Sequence, residues 1–172
     1  MEYNQLIRER YSVRKFSGQP VEESVTRAIL EAARTAPTAV NKQPYRILVL
    51  RDAESMNKLK ACTPYTFNAP LALIVCRHKD EAWVRPYDGE NSGVIDAAIV
   101  GAHIMLAVHD LGLGSTWVGH FDPEALRRSF NVPDVIEPIA VFPIGHPAPD
   151  AKPSPRHSTR RPLEETVVYD SF

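Results

Sequence analysis

The chain has only two cysteines, Cys62 and Cys76. They form no CxxC pair and no metal-ligand spacing with the six histidines, so neither a bound metal nor a disulfide framework is expected. Two isolated thiols fit a reducing, cytoplasmic compartment. An excess of charge of one sign is lacking as well: 20 Lys and Arg stand against 21 Asp and Glu, a formal net charge of -1. Nucleic acid is therefore not expected as a partner, and any anion site must come from local clustering of arginines. No run approaches the ~20 apolar residues that span a bilayer, so no membrane association is expected. The longest candidate, Val94 to Leu111, carries Asp96, His103, His109 and Asp110. The opening residues, MEYNQLIRERYSVRKF, contain no apolar signal core. GxGxxG after a strand, GxxxxGK, GxSxG and HExxH are all missing. A chain without an evident nucleophile or metal site would, as an enzyme, most simply take its chemistry from a cofactor.

What is present is a globular composition, 44% hydrophobic and 24% charged, over 172 residues. That length suits one domain spanning 1–172. Tyr3 to Glu9 is a short helix. Pro20 to Thr35 is amphipathic, with Val21, Val25, Ala28, Ile29 and Ala32 on one face, and Pro37 ends it. Arg46 to Leu50 and Leu71 to Cys76 are strand-like, and Asp52 to Ala61 is helical with Met56 and Leu59 inward. His78 to Gly93 is a polar loop in which Trp83 and Tyr87 are either a lid or a loop anchor. Ile95 to Leu111 is a helix apolar nearly all round, which calls for burial on every side and, in so short a chain, for a second subunit. His103 and His109 on it are packing or interface residues. Gly112 to Ser115 closes that helix. Thr116 to Val118 is expected as a strand, with Trp117 in the core. Asp122 and Pro123 are N-cap and N1 of a helix to Phe130. Ile139 to Ile144 is a strand, Ala148 to Pro155 a proline-rich linker, and Thr166 to Tyr169 a last strand. Helices and strands without a βαβ repeat indicate an α+β fold.

Arg8, Arg10, Arg14 and Lys15 cluster near one end, with Ser12 between them, and Arg156, Arg160 and Arg161 near the other. Two such groups of guanidinium forks either converge on one phosphate or remain solvated basic stretches; spacing leaves both open.

Four motifs in order bear on that choice. RERYSVRKF resembles the N-terminal flavin signature of the nitroreductase family, and ARTAPTAVNKQPYRILVL its next signature. LGLGSTWVGHFDPEALRRSFNVP is similar to the segment after the family's central helix. IAVFPIGHP followed by RRPLEETVVY resembles its C-terminal strand and tail. The resemblance runs from about Leu6 to Tyr169. It implies an α+β fold with a mixed sheet flanked by helices, a domain-entwined homodimer, and FMN at the subunit interface. NADH or NADPH would be the donor and a small electrophile, such as a nitroaromatic or quinone, the acceptor, in ping-pong order.

The resemblance also implies roles. Arg10, Tyr11, Ser12 and Arg14 would hold the FMN phosphate and the ring's pyrimidine edge, and Arg160 and Arg161 would add phosphate contacts. Asn41 and Gln43 would sit close to the ring. The backbone of Gly119 and His120 would meet its N5 and O4 side, and Gly145 would let the chain pass close by. No side chain need be catalytic; His120 is either an acid–base group or structural. Ser12 and Asn41 also suit plain turn positions. The turn Thr38-Ala39-Val40-Asn41 differs from the serine-rich version common in the family, and Tyr45 stands where tryptophan is frequent. Other flavin chemistry on the same fold (dehalogenation, ene reduction, flavin fragmentation) and non-catalytic flavin binding remain alternatives.

Overall fold

The computed structural model describes residues 1–172. Four strands, β1 (Tyr45–Leu50), β2 (Leu71–His78), β3 (Gly114–Ser115) and β4 (Ile136–Gly145), form one antiparallel sheet in the order β1-β2-β4-β3. Its only parallel neighbour is a lone bridge between Ser12 and Ser115. Five helices surround it: α1 (Tyr3–Glu9), α2 (Glu23–Arg34), α3 (Ala53–Cys62), α4 (Gly93–Asp110) and α5 (Pro123–Phe130). The fold is α+β, as the pattern of elements predicts.

The central strand explains why its sequence is apolar without alternation. Leu71, Leu73 and Val75 face one layer, with Ile29 and Ala33 of α2 and Val100 and Ile104 of α4. Ala72, Ile74 and Cys76 face the other, with Met56 and Leu59 of α3 and Leu126 of α5. A strand covered on both faces loses the period of two. Each fully buried Leu or Phe, such as Leu73 or Phe142, contributes roughly 1.5–3 kcal/mol by leaving water.

Several expectations need correction. α2 begins at Glu23, with Glu22 extended, and ends where the Thr35 hydroxyl donates to Ala32 O at 2.8 Å. The strand expected at Thr116 to Val118 is β3, at Gly114–Ser115, and Val118 forms only an isolated bridge to Val141. The register pairs Ser115 with Ile144 and Val118 with Val141, so Pro143 falls opposite Thr116. Proline has no N–H to give the ladder, which is interrupted there. Trp117 is not core: it is 37% exposed and stands edge-on to Phe142. Thr166 to Tyr169 is no strand within the chain; Val168 and Tyr169 are exposed and have no ladder partner. The loop expected over 78–93 folds at 83–92 into a short hairpin closed by a Val84–Asn91 bridge.

α4 meets the length and composition test for crossing a bilayer. One face of it, including Ala97, Val100, Ile104 and Val108, is buried in the core, while Val94 and Ile95 on another are 44% and 58% exposed. Within one chain its apolar surface is only partly covered.

Candidate functional site

The two ends of the chain meet because residues 12–17 run alongside β3 and the segment after β4. Val13 N–H donates to Ser115 O and Ser17 N–H to His146 O, both at 2.9 Å, and Ala148 N–H donates to Lys15 O at 3.0 Å. Val13 is buried against Gly114, where an added Cβ would come within 2.5 Å of its side chain. Lys15 pairs with Asp150. His157 Nε2 lies 3.0 Å from Arg8 O, and its ring meets Tyr11 edge-on at 6.2 Å.

These contacts enclose a cavity of about 370 Å³ lined by Arg10, Tyr11, Ser12, Arg14, Ser154, Arg156, His157 and Arg160. No carboxylate lines it. None of its four arginines is ion-paired; elsewhere Arg34, Arg46, Arg51, Arg77, Arg85 and Arg127 are paired, and the unpaired Arg8, Arg27, Arg128 and Arg161 do not line this cavity. Burial, and then the Arg160 charge, hold the Arg10 guanidinium below its ordinary range. Unopposed like charges in a partly desolvated cleft favour an incoming anion. The donor set suits a phosphate: planar forks flanked by the hydroxyls of Tyr11, Ser12 and Ser154.

Arg14 also lines a second cavity, of about 200 Å³, with Tyr65, Phe67, Thr116, Trp117, Val118, Gly119 and His120. The two cavities therefore adjoin. The His120 ring stands edge-on to Tyr65 at 5.3 Å, and its carbonyl accepts the Thr63 hydroxyl at 2.6 Å. The N–H groups of Gly119 and His120 donate to no backbone acceptor. Burial pushes the Cys76 thiol up to about 12, so it is no nucleophile.

Of the residues anticipated from sequence, Arg10, Tyr11, Ser12, Arg14 and Arg160 meet in the first cavity, and Gly119 and His120 in the second. Asn41 and Gln43 line neither; they sit on an exposed turn at positive φ (57° and 52°) beside Val40 at 44°. Residues in such left-handed conformations cost about 1–3 kcal/mol each and persist only when their surroundings impose them. Arg161 is exposed and lines neither cavity. Gly145 is buried beneath Pro70 and Phe16, where a Cβ would approach Pro70 to 2.7 Å, so its bareness serves packing in this chain. Sequence reasoning missed Ser154 and His157, which lay in or beside what resembled a linker, and gave Arg156 no individual role. The signal was the Ser-Pro-Arg turn, in which Ser154 Oγ accepts the Arg156 N–H. It also missed the aromatic set Tyr65 and Phe67.

Comparison with known proteins agrees with the geometry. The model of the nitroreductase family matches residues 7–65 and 57–146. A protein of Methanothermobacter thermautotrophicus named as an NADH dehydrogenase/NAD(P)H nitroreductase is 34% identical over 155 residues, covering 86% of this chain and 78% of the relative. A crystal structure of a nitroreductase family protein from Clostridium difficile 630 superposes over the full length of both chains, with TM-score 0.94 and 39% identity. An FMN-dependent nitroreductase from Clostridium difficile R20291 shares the fold, with TM-score 0.81 and 24% identity over 98% of this chain and 99% of that one. With the family model matching residues 7–65 and 57–146, a relative 34% identical over 86% of the chain and a fold shared over the whole length, this chain belongs to the nitroreductase family.

Proposed function

We propose that the protein is an FMN-dependent oxidoreductase that uses NADH or NADPH. The observation that carries this reading is the acid-free cavity in which Arg10, Arg14, Arg156 and Arg160 stand without an ion-pair partner. When bound there, FMN would supply the redox chemistry, linking hydride donation by a nicotinamide to reduction of a nitroaromatic or quinone, with donor and acceptor using the site in turn.

The chain's own residues do the rest. Arg10, Arg156 and Arg160, with Ser12 and Ser154, hold the phosphate. Arg14, shared by the two cavities, would supply a fixed cation to bound flavin, which would favour the more negative, reduced form. The unengaged N–H groups of Gly119 and His120 are donors for the ring. Tyr65, Phe67 and Trp117 wall the neighbouring cavity with flat apolar surface, suited to stacking planar molecules. Asn41, Gln43 and Arg161 complete the site from a second copy of the chain. That homodimer is supported by the uncovered Val94 and Ile95 of α4 and by the exposed Leu163, Val168 and Tyr169 of the C-terminal arm. The whole chain, 1–172, acts as one FMN-binding domain.

The test is the visible spectrum of the purified protein, supplied with FMN and then titrated with NADH or NADPH under argon. Flavin bands that bleach on titration are expected. A colourless protein that takes up no FMN overturns the reading. Sedimentation checks the second half of it, where a stable monomer would exclude the shared site.

A further inference from the structure

Asp96 is the one acidic side chain in the core: it is 1% exposed, on the first turn of a largely apolar helix. A buried carboxylate is expensive unless its oxygens are engaged, and both are. Oδ1 accepts the N–H of Ala39 at 2.8 Å, and Oδ2 accepts the Ser92 hydroxyl at 2.8 Å. Ala39 is 57 residues away and opens the turn that carries Val40, Asn41 and Gln43.

The shape of that turn is not explained by its own sequence. Residues 38–43 contain no glycine, yet Val40, Asn41 and Gln43 all have positive φ. A β-branched residue in that region is a conformational outlier. Packing does not hold it there, since Val40 is 71% exposed. Within the turn, Thr38 Oγ1 accepts the Gln43 N–H at 2.9 Å and the Gln43 amide donates to Asn41 Oδ1 at 3.2 Å. These bonds close the turn on itself. Its far end is tied to the sheet by buried Pro44, whose carbonyl accepts the His78 N–H at 2.8 Å, and its near end is tied to α4 by the Asp96 carboxylate. The same side chain reaches a second exposed segment, because Ser92 N–H donates to Trp83 O at 2.9 Å and so closes the base of the 83–92 hairpin.

We propose that Asp96 is a positioning residue: anchored to the start of α4, it fixes the Thr38–Gln43 turn in the one shape that presents the Asn41 and Gln43 amides to bound flavin. This rests on the reading that those amides meet FMN, in either subunit.

The experiment compares four variants of the full-length protein in three measurements: FMN affinity by fluorescence titration, the midpoint potential of the bound flavin, and hydrogen exchange. Asp96→Asn keeps the shape but has one acceptor oxygen where two bonds need accepting. Ala39→Pro removes the donated N–H from the other side, leaves α4 intact, and stands at a first helical position that tolerates proline after the extended Thr38. Asn41→Ala tests the underlying reading. Both Asp96→Asn and Ala39→Pro are expected to weaken FMN binding about tenfold. They should move the potential in the direction that Asn41→Ala moves it. Exchange should quicken across 40–43 while the amides of Val100 and Ile104 keep their protection. If Asp96→Asn fails to fold, Ala39→Pro alone decides. Should Asn41→Ala shift affinity or potential while the folded anchor variants match wild type, the role of Asp96 is overturned and the flavin reading stands. Should Asn41→Ala and a Gln43→Ala companion leave both unchanged, the proposal falls together with the contact it rests on.

Discussion

Two sets of arginines in this chain behave in opposite ways. At the β1–β2 end of the sheet, Arg46 grips Glu81 with bonds of 2.8 and 2.9 Å, and Arg77 donates twice to Glu137 at 2.7 and 2.8 Å. At the meeting of the chain ends, Arg10, Arg14, Arg156 and Arg160 line a cavity without a carboxylate. The net charge of -1 averages these sets and conceals both. A paired guanidinium has spent its donors on the fold. The unpaired Arg10, partly buried beside the Arg160 charge, is held at an electrostatic cost that a bound anion would relieve.

The sharpest way to break the comparison is to remove cavity arginines. A charge-assisted hydrogen bond contributes roughly 1.5–3 kcal/mol, so Arg10→Ala or Arg160→Ala is expected to weaken FMN binding about 10- to 150-fold. Arg10→Ala/Arg160→Ala should lose more than either alone. Melting temperature without flavin should hold steady or rise in Arg10→Ala, because a repulsion has been deleted, whereas Arg160→Ala also loses the bonds from its Nη1 to His157 O and Thr159 O, both at 2.7 Å, and should give back part of that gain. A drop of several degrees would mean these side chains serve the fold.

The converse variant has a smaller effect of the opposite kind. Arg77→Ala removes a partly exposed ion pair with side-chain exposures of 19% and 38%, worth about 1 kcal/mol. Denaturant unfolding should register that loss while FMN affinity stays at the wild-type value. A change in affinity would show that the two sets are not independent. Smaller again is the response to salt. Raising ionic strength from about 0.05 to 0.5 M shortens the screening length several-fold, and FMN affinity should fall a few-fold, far more than stability does.

The same division explains how much was legible beforehand. The helices and the buried strand were visible because their burial follows from apolar spacing, as with Ile29 and Ala33 in α2 or Leu73 and Ile74 in β2. The β3 ladder was misplaced because Pro143, some 27 residues along, decides where pairing stops. The arginines themselves were evident, but whether Arg10 has a carboxylate partner is a tertiary fact that no spacing encodes. Asp96 shows in the sequence only as a polar residue on a long, largely apolar helix; its partner Ala39 offers a backbone N–H, which leaves no trace there.

The least of the expected effects is on protons, and it probes how far the cavity's field extends. His109 on α4 has its pKa held below its ordinary 6.5, by burial first and then by the Arg10 charge. Its Nε2 is buried with no hydrogen-bond partner, so a proton there would have nothing to donate to. A depressed folded-state value means that the unfolded chain takes up the proton first. Stability is therefore complete above pH 6.5 and declines as pH falls below it through the folded value. His109→Gln should flatten that decline in melting temperature measured from pH 7.5 to 5. Arg10→Ala removes one depressing charge, and a bound phosphate offsets the same charge, so each should raise the His109 midpoint followed by NMR. An unchanged midpoint in Arg10→Ala would confine the uncompensated charge to the cavity and leave burial as the sole cause.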